Sequence, residues 1–254
     1  MLEARGLTKY YSAITGVRDV NFEVRPGSVL GLLGPNGSGK STTVAMLTGL
    51  LEPSGGLVLL NGSDIRADLV AYKRCLGYVP EEAQLYTWMS GAEYLTFCAR
   101  LRGLPDSVSM RRIDALLAIF GLELDREAPM SAYSKGMRQK ILLSAALLHN
   151  PSIVILDEPC SGLDVGATLV VRSLIARLAG TGRIVIYSSH ELEMVEKVCS
   201  EVLILRDGRV AAHAGTAALR EQVNAASLED AFRTLVFTTD VDAVANEIVA
   251  VIAR

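Results

Sequence analysis

The chain has 254 residues, of which 50% are hydrophobic and 21% are charged, and this composition is typical of a folded globular protein rather than a disordered one. Its formal net charge of −3 provides no general electrostatic attraction for nucleic acid, so we expect no nucleic-acid partner. No apolar run approaches the ~20 residues that a membrane-spanning helix requires. The charged N-terminal residues do not resemble a signal peptide. Four scattered cysteines without zinc-ligand spacing favour reduced thiols in a cytoplasmic protein.

The first third of the chain has the pattern of β-strands. Short apolar runs at 20–24, 28–34, 55–62 and 76–80 are bounded by Gly and Pro, which is typical of strands separated by turns. The Arg-Pro-Gly sequence at 25–27 lies between the first two runs and predicts a hairpin turn.

A block of helical patterns follows. Ser90 and Glu93 form a predicted capping box for a helix that ends near Gly103. A second helix is predicted over about 107–120, and a third begins after Ser134 and ends before Pro151. Because strand-forming segments flank this block, we interpret residues 88–150 as a helical lobe inserted into a sheet-forming domain.

Strands and helices alternate after the lobe. Residues 152–159 form a continuous apolar run, which predicts a strand buried on both faces. A helix over 165–179, a strand over 183–189 and a hairpin over 202–212 follow. The pattern predicts an α/β fold, with a mainly parallel sheet, an N-terminal antiparallel β part and the inserted helical lobe.

The C-terminal segment has a different pattern. Apolar residues at 241, 244, 245, 248, 249 and 252 predict an amphipathic helix with Asp240 as its N-cap. We expect this helix to dock on its own domain, and contact with a partner chain is the alternative. We therefore divide the chain into a main domain over 1–220 and a short helical extension over 221–254.

Residues 34–41 (GPNGSGKS) fit the phosphate-binding loop pattern G-x-x-x-x-G-K-[ST] between a predicted strand and a predicted helix, which indicates a P-loop NTPase core. Glycines let backbone N–H groups surround phosphate oxygens, and the helix N-terminus adds its dipole. Lys40 is expected to reach the β- and γ-phosphates, and the Ser41 hydroxyl to bind Mg²⁺. The predicted nucleotide contacts of this segment are Gly34, Pro35, Asn36, Gly37, Ser38, Gly39, Lys40, Ser41 and Thr42.

Two later segments place polar side chains at strand ends. In IVILDEP (153–159), a buried strand delivers Asp157 to the sheet edge where open α/β sheets bind ligands, and we expect Asp157 to bind Mg²⁺. Glu158 points in another direction, and a carboxylate near the γ-phosphate can orient and deprotonate the attacking water. His190 ends the sequence YSSH, and we predict that it polarises the γ-phosphate and that water rather than serving as a structural residue.

The order of these motifs resembles that of the ATP-binding cassette (ABC) ATPases, the energising subunits of ABC transporters, over residues 2 to about 220. Residues 133–140 (YSKGMRQK) resemble the family signature LSGGQ, and their Tyr-Ser-x-Gly-Met form resembles the cassettes of ABC-2-type export permeases. The resemblance implies that Tyr11 stacks on adenine, with Tyr10 as its rival, and that SGLD (161–164) is the D-loop. It also implies that a second chain contributes nucleotide contacts, from Ser134, Gly136 and Asp164.

Two positions depart from the common family pattern. Lys135 stands where the common signature has Gly, and this extra cation either contacts phosphate or faces water. Glu81 stands where the resemblance implies a glutamine that reaches Mg²⁺, and Gln84 could replace it only if the loop shifted by three residues. We expect Glu81 to bind Mg²⁺ while adding a negative charge beside the γ-phosphate.

The resemblance implies a subunit that pairs with a second copy of itself, or with a homologous cassette, around two Mg·ATP. Such a pair would drive a separate membrane permease from the cytoplasmic face of the membrane as a peripheral subunit, and the short tail favours export. Tyr86, Trp88 and Met89 are expected either to contact that permease or to fill the core. The alternative is a soluble ABC ATPase that acts as a regulatory switch or on nucleic acid or ribosomes. A metabolic kinase or a GTPase does not explain YSKGM, SGLD and His190 together.

Overall fold

The computed structural model describes residues 1–11, 14–82, 84–236 and 241–252. The strands are β1 (Leu2–Tyr11), β2 (Ile14–Val24), β3 (Val29–Leu33), β4 (Gly55–Leu60), β5 (Ser63–Asp64), β6 (Leu76–Val79), β7 (Ile153–Asp157), β8 (Ile184–Ser188), β9 (Glu201–Arg206) and β10 (Arg209–Gly215). The helices are α1 (Lys40–Leu47), α2 (Leu69–Cys75), α3 (Gly91–Leu101), α4 (Asp106–Ile119), α5 (Lys135–Leu147), α6 (Val165–Gly180), α7 (Leu192–Val198), α8 (Thr216–Gln222), α9 (Leu228–Val236) and α10 (Val241–Ile252). Short 3₁₀ turns cover Ile65–Asp68 and Met130–Ala132.

The N-terminal strands form an antiparallel sheet in the order β2-β1-β4-β5. The predicted hairpin across residues 25–27 is wrong, because β2 belongs to this sheet and β3 lies in another one. The turn itself forms, since the Ser28 N–H donates to the Arg25 carbonyl at 3.1 Å. Every residue of β3 is buried, so this strand needs cover on both faces and lies inside the larger sheet.

The larger sheet has the order β10-β9-β3-β8-β7-β6. The strands β6, β7, β8, β3 and β9 run parallel, and β10 pairs antiparallel with β9. The predicted hairpin at 202–212 is confirmed, with Asp207 and Gly208 at positive φ in a two-residue turn. Parallel pairing brings the carboxyl ends of β3, β6, β7 and β8 to one edge, and the segments that follow those strands contain the predicted site residues.

Helices α3, α4 and α5 form a separate helical layer with its own apolar cluster, which includes Leu95, Leu117 and Ile141. The predicted capping box is confirmed: the Glu93 N–H donates to Ser90 Oγ at 3.2 Å, and the Ser90 N–H donates to Glu93 Oε2 at 2.8 Å. The mainly parallel sheet, the antiparallel sheet and the helical insertion together confirm the predicted fold class.

The predicted C-terminal helix forms as α10, whereas the predicted N-cap Asp240 lies outside the described residues. The expectation that its apolar stripe docks on the domain is wrong for Val244, Ile248, Val249 and Ile252, which are 41% to 77% exposed. Among the described residues, no helix combines the length and apolar character needed to cross a membrane. All four cysteines are free thiols.

Candidate nucleotide-binding site

The phosphate loop connects the buried end of β3 to the first turn of α1. Gly34 has φ 155°, and a Cβ at this position would lie 2.3 Å from Ser38 Oγ and 2.4 Å from the Leu205 carbonyl oxygen. A side chain is therefore excluded where the loop leaves β3. Gly39, at φ 101°, adopts the left-handed conformation at the N-cap of α1, which leaves the N–H groups of the first turn of α1 without a side-chain cap.

Lys40 folds back over the phosphate loop. Its Nζ donates to the Gly34 carbonyl at 2.6 Å and to the Pro35 carbonyl at 3.2 Å. Burial lowers the pKa of this ammonium, and the charges of Glu158 and Asp157 oppose that shift. The Lys40 ammonium thus lies partly buried near the carboxylates of Glu158 and Asp157. Its positive charge would attract a polyphosphate, and the carboxylates would attract a metal ion bound to that polyphosphate.

A cavity of about 530 Å³ opens at this edge of the sheet. It brings together residues that are far apart in the sequence, from the phosphate loop, from the end of β7 and from the segments after β6 and β8. The lining residues are Gly16, Asn36, Gly37, Ser38, Gly39, Lys40, Ser41, Thr42, Glu81, Asp157, Glu158 and His190.

Asp157 ends β7 with only 5% of its surface exposed. Burial raises the pKa of this carboxyl, and the nearby charges of Glu81 and Glu158 raise it further, whereas Lys40 lowers it. Glu81 is exposed, yet it lines the same cavity. Gln84, the alternative to Glu81, does not line the cavity.

Glu158 and His190 are in direct contact. Glu158 Oε1 accepts the His190 backbone N–H at 2.8 Å and lies 2.8 Å from His190 Nδ1, which leaves the Nε2 atom outside this contact. Glu158 Oε2 accepts from Ser189 Oγ at 3.2 Å. Sequence reasoning missed Ser189, although its place beside His190 in YSSH is the signal that could have found it. Glu158 also has a left-handed backbone, with φ 48°.

The oxygen donors around the cavity fit a hard divalent cation. The Ser41 hydroxyl and the carboxylates of Asp157 and Glu81 line the same space, and Mg²⁺ prefers oxygen ligands. Within the described residues, no three His, Cys, Asp or Glu side chains form a cluster that could bind a metal ion. A Mg²⁺ ion here would therefore take further ligands from water and from nucleotide phosphates, as Mg²⁺ usually does in phosphate sites.

Tyr11, rather than Tyr10, lies beside the cavity. The Tyr11 hydroxyl is 3.5 Å from Thr42 Oγ1, and its ring lies over Gly16, where a Cβ would be 2.8 Å from the ring. The Tyr10 N–H instead donates to Ser54 Oγ at 3.2 Å. Successive side chains of a strand point to opposite faces, which separates the two tyrosines. Sequence reasoning missed Gly16, whose missing side chain makes room for the ring.

The signature segment lies outside this cavity. Ser134 is exposed and caps α5, since its Oγ accepts the Met137 N–H at 3.2 Å. Tyr133 is buried in the helical layer, and its hydroxyl donates to the Asp125 carbonyl at 2.6 Å. Neither Ser134 nor Gly136 lines the cavity that contains Lys40. Within one chain, the two predicted halves of the nucleotide site are therefore separate.

Lys135 and Asp164 have partners within the chain. Lys135 Nζ donates to Ser161 Oγ at 2.7 Å, so in this structure the side chain contacts the D-loop, an alternative that the sequence did not suggest. Asp164 caps α6, because its Oδ1 accepts the Ala167 N–H at 2.8 Å. That hydrogen bond lowers the pKa of the Asp164 carboxyl.

An exposed aromatic cluster lies where the segment after β6 meets the helical layer. Tyr86 and Trp88 are 53% and 75% exposed, and their ring centroids are 6.1 Å apart. Phe97 of α3 meets Tyr86 edge-on at 5.9 Å. Trp88, Met89 and Phe97 also line an open cavity of about 630 Å³ on the helical layer. Tyr86 and Trp88 thus lie at the surface rather than in the core.

Comparison with known protein families gives a match for residues 17–161 to the model described as ABC transporter. YxlF of Bacillus subtilis (strain 168), an uncharacterized ABC transporter ATP-binding protein, is 38% identical over 210 residues, which are 83% of this chain and 69% of the relative. The Nod factor export ATP-binding protein I of Ralstonia nicotianae is 34% identical over 209 residues, which are 82% of this chain and 65% of the relative.

Solved structures give the same result. The ATP-binding subunit of an ABC transporter superposes with a TM-score of 0.87 at 34% identity, over 92% of this chain and 99% of that one. The dimeric cassette MJ0796, bound to ADP and phosphate, has a TM-score of 0.78 at 22% identity, over 85% and 98% of the two chains, and this likeness concerns the fold alone. This chain belongs to the ABC transporter family, as an ATP-binding subunit that hydrolyses ATP.

Proposed function

We propose that two copies of this chain bind two ATP molecules between them, each held by the phosphate loop of one copy and by Ser134 and Gly136 of the other. The proposal rests on the separation of these two segments within one chain. A helix N-terminus contributes only about 0.3–1 kcal/mol to binding an anion, so the exposed end of α5 is too weak a site alone. When Lys40 of one copy already holds the nucleotide, this added contribution from the other copy favours ATP over ADP, because ADP lacks the γ-phosphate.

Glu158 and His190 would together carry out hydrolysis. Their direct contact is the observation that best supports this function. Glu158 orients and deprotonates the attacking water, while His190 Nε2 faces the γ-phosphate and Lys40 stabilises the phosphate charge. Ser41, Asp157 and Glu81 would hold Mg²⁺. When bound with the nucleotide, this ion neutralises negative charge on the phosphates.

The turnover role of Glu158 is tested by Glu158→Gln, which keeps the shape of the side chain and removes the base. We expect the ATPase rate to fall by about 10²–10⁴-fold, with ATP binding retained, as measured by phosphate release and by displacement of a fluorescent ATP analogue. Glu82→Gln is the matched control, since Glu82 is exposed and does not line the cavity. A rate within tenfold of the unchanged protein would contradict the role of Glu158.

We further propose that a membrane permease docks on the aromatic cluster of Tyr86, Trp88 and Phe97, next to Met89, and that the complex exports its substrate. Support comes from the exposure of these rings, since aromatic residues and Met are enriched in interface centres. The chain would then be a peripheral subunit at the cytoplasmic face. Residues 1–220 would form the ATPase domain with its inserted lobe, and residues 221–254 the extension. The Ralstonia relative, a Nod factor export protein, supports export as the direction of transport.

Co-purification from native membranes tests this docking. Trp88→Ala should reduce recovery of an integral membrane partner at least tenfold, as expected for a central interface aromatic, and leave ATP binding unchanged. Leu124→Ala is the matched control, because Leu124 is a fully exposed apolar residue outside the aromatic cluster. Failure to recover any membrane partner with the unchanged chain would favour a soluble regulatory ATPase instead.

A further inference from the structure

One face of the first turns of α5 contacts the segment that directly follows Glu158. Gln139 Nε2 donates to the buried Pro159 carbonyl at 3.0 Å. A Cβ on Gly136 would lie 2.7 Å from the Gly162 carbonyl oxygen, so the two backbones touch there. Lys135 Nζ donates to Ser161 Oγ at 2.7 Å. The signature helix therefore packs on the D-loop within the same chain, through three neighbouring contacts.

The Lys135 contact continues to Glu158 through Ser161. The Ser161 N–H donates to the Glu158 carbonyl at 3.1 Å, so Ser161 bonds to both residues. The backbone of Glu158 is fixed on its other side, where its N–H donates to the Ser188 carbonyl at 2.9 Å. A shift of Ser161 would therefore move the backbone of Glu158, which has a left-handed φ of 48°. The Glu158 side chain has little room to turn, because it is only 14% exposed.

The aliphatic stem of Lys135 adds packing to this hydrogen bond. A Cβ built on Gly162, at φ +80°, would lie 2.7 Å from Lys135 Cγ and 2.8 Å from Cδ. Gly162 thus lies directly against the lysine stem, while its carbonyl lies against Gly136. A glycine at 135 would have neither the stem nor the ammonium, so this contact depends on the lysine itself.

We propose that Lys135 is a positioning residue that acts through Ser161. When the partner's ATP contacts Ser134 and Gly136, Lys135 transmits this contact to Ser161. Ser161 in turn changes the position of Glu158 in its own chain. The proposal rests on the two-copy arrangement proposed above. In that arrangement the signature segment senses one ATP, whereas Glu158 of the same chain acts on the other. The Lys135–Ser161 hydrogen bond then links the two sites of the dimer, and hydrolysis at one site responds to occupancy of the other.

The test removes each partner of the hydrogen bond separately and then both. Lys135→Met keeps most of the stem and removes the ammonium, Ser161→Ala removes the acceptor, and Lys135→Arg preserves a donor. Lys73→Met, on α2, is the control for removing a lysine charge elsewhere. ATPase rate and Hill coefficient are measured over a range of ATP concentrations for each variant and for the double variant. Dimers are measured by light scattering in a Glu158→Gln background.

We expect Lys135→Met and Ser161→Ala each to lower kcat by about fivefold, the lower end of typical coupling between sites, and to bring the Hill coefficient toward one. The double variant should be no slower than either single one, because both remove the same interaction. Lys135→Arg should recover kcat to within twofold of the unchanged protein, and Lys73→Met should match that protein.

Two results would overturn the proposal. The first is additive losses in the double variant, about 25-fold in kcat, which would mean that the two side chains act independently. The second is a weaker ATP-driven dimer for Lys135→Met but not for Ser161→Ala, which would place the ammonium on the partner's phosphate. Absence of ATP-driven dimers with Lys135 intact would instead contradict the two-copy function itself, so the two failures are distinguishable.

Discussion

The phosphate loop and the signature segment both contain a helix N-terminus, of α1 and α5, but they differ in how the chain surrounds them. The loop lies at the floor of a cavity that four strand ends build, and Lys40 is already hydrogen-bonded within it. The signature segment is exposed, and its Ser134 hydroxyl accepts a hydrogen bond from its own helix. The phosphate loop thus lines a cavity together with residues from other strand ends, whereas the signature segment is an exposed surface within one chain.

This difference shows how a weak local feature becomes useful. The sequence of the phosphate loop is constrained by close contacts within its own chain, such as those around Gly34. The signature segment is constrained instead by packing on the D-loop of the same chain, which Gly136 and Lys135 contact. Changes in the two regions should therefore have different consequences.

The largest effect is expected for Gly34→Ala. The new Cβ would overlap Ser38 Oγ and the Leu205 carbonyl, so the loop must move, at a cost of about 3 kcal/mol or more in the free energy of unfolding. ATP binding, measured by fluorescence titration, should be lost.

The matched control is Gly37→Ala, also at positive φ, where the added Cβ would meet no atom of the described residues within 4 Å apart from its chain neighbours. It should lower the free energy of unfolding by only about 1–2 kcal/mol, as measured by denaturant titration. Equal destabilisation by the two substitutions would mean that close approach at Gly34 does not determine the shape of the loop.

The next effect concerns the base of the nucleotide. Tyr11→Ala should weaken ATP binding by about 1–3 kcal/mol, the usual contribution of stacking on an aromatic ring, because Tyr11 lies beside Thr42 at the cavity. Tyr10→Ala removes a similarly exposed ring from the neighbouring position, where the backbone N–H donates to Ser54 Oγ, and it should leave binding unchanged. Isothermal titration of both variants with ATP measures the contrast, and a larger loss for Tyr10→Ala would reverse the assignment.

An effect of similar size concerns the far end of the signature helix, where His149 follows α5 and its Nε2 lies 3.0 Å from the Leu76 carbonyl. Burial lowers the pKa of His149 to about 4, and the charges of Arg102 and Arg112 lower it further. The unfolded chain therefore takes up a proton below about pH 6.5 that the folded chain does not. The free energy of unfolding should fall by roughly 1–3 kcal/mol between pH 7 and pH 4, and it should be flat with respect to this group above pH 7.

Comparing His149→Gln with the unchanged chain isolates this contribution. The variant keeps an amide N–H that can reach the Leu76 carbonyl, and its free energy of unfolding should fall less steeply over the same pH range in urea titrations. Identical pH dependence in the unchanged chain and His149→Gln would contradict the assignment.

Sequence patterns predicted the features that depend on neighbouring residues. The capping box at Ser90 and the hairpin over 202–212 are local, and both are confirmed. The hairpin at 25–27 was predicted wrongly because its turn chemistry is compatible with strands in two different sheets, and burial of β3 on both faces decides between them. The continuous apolar run of β3 is the same signal that predicts a strand buried on both faces at 152–159, and it outweighs the turn chemistry.

The same reasoning explains what was missed at the site. The glycine-rich loop and the two strand-end carboxylates follow local patterns, so their meeting at one cavity was expected. The Lys135–Ser161 hydrogen bond joins residues 26 positions apart, and the contact of Tyr11 with Gly16 depends on the register of β1 and β2. Helix α10 is a further case: the spacing of its apolar residues predicts a helix but does not identify what covers its apolar face, and the described residues of that face are exposed.

The most direct test of the two-copy site is the mass of Glu158→Gln in solution, measured by light scattering with saturating ATP and with ADP. Ser134→Asp keeps the N-cap of α5 but places a negative charge opposite the partner's γ-phosphate, and Ser134→Asn keeps the cap without the charge. We predict twice the chain mass of 27.2 kDa with ATP for Glu158→Gln and for its Ser134→Asn form, and a single chain mass with ADP or for Ser134→Asp. A monomer at saturating ATP, or equal dimerisation of the Asp and Asn forms, would contradict the account.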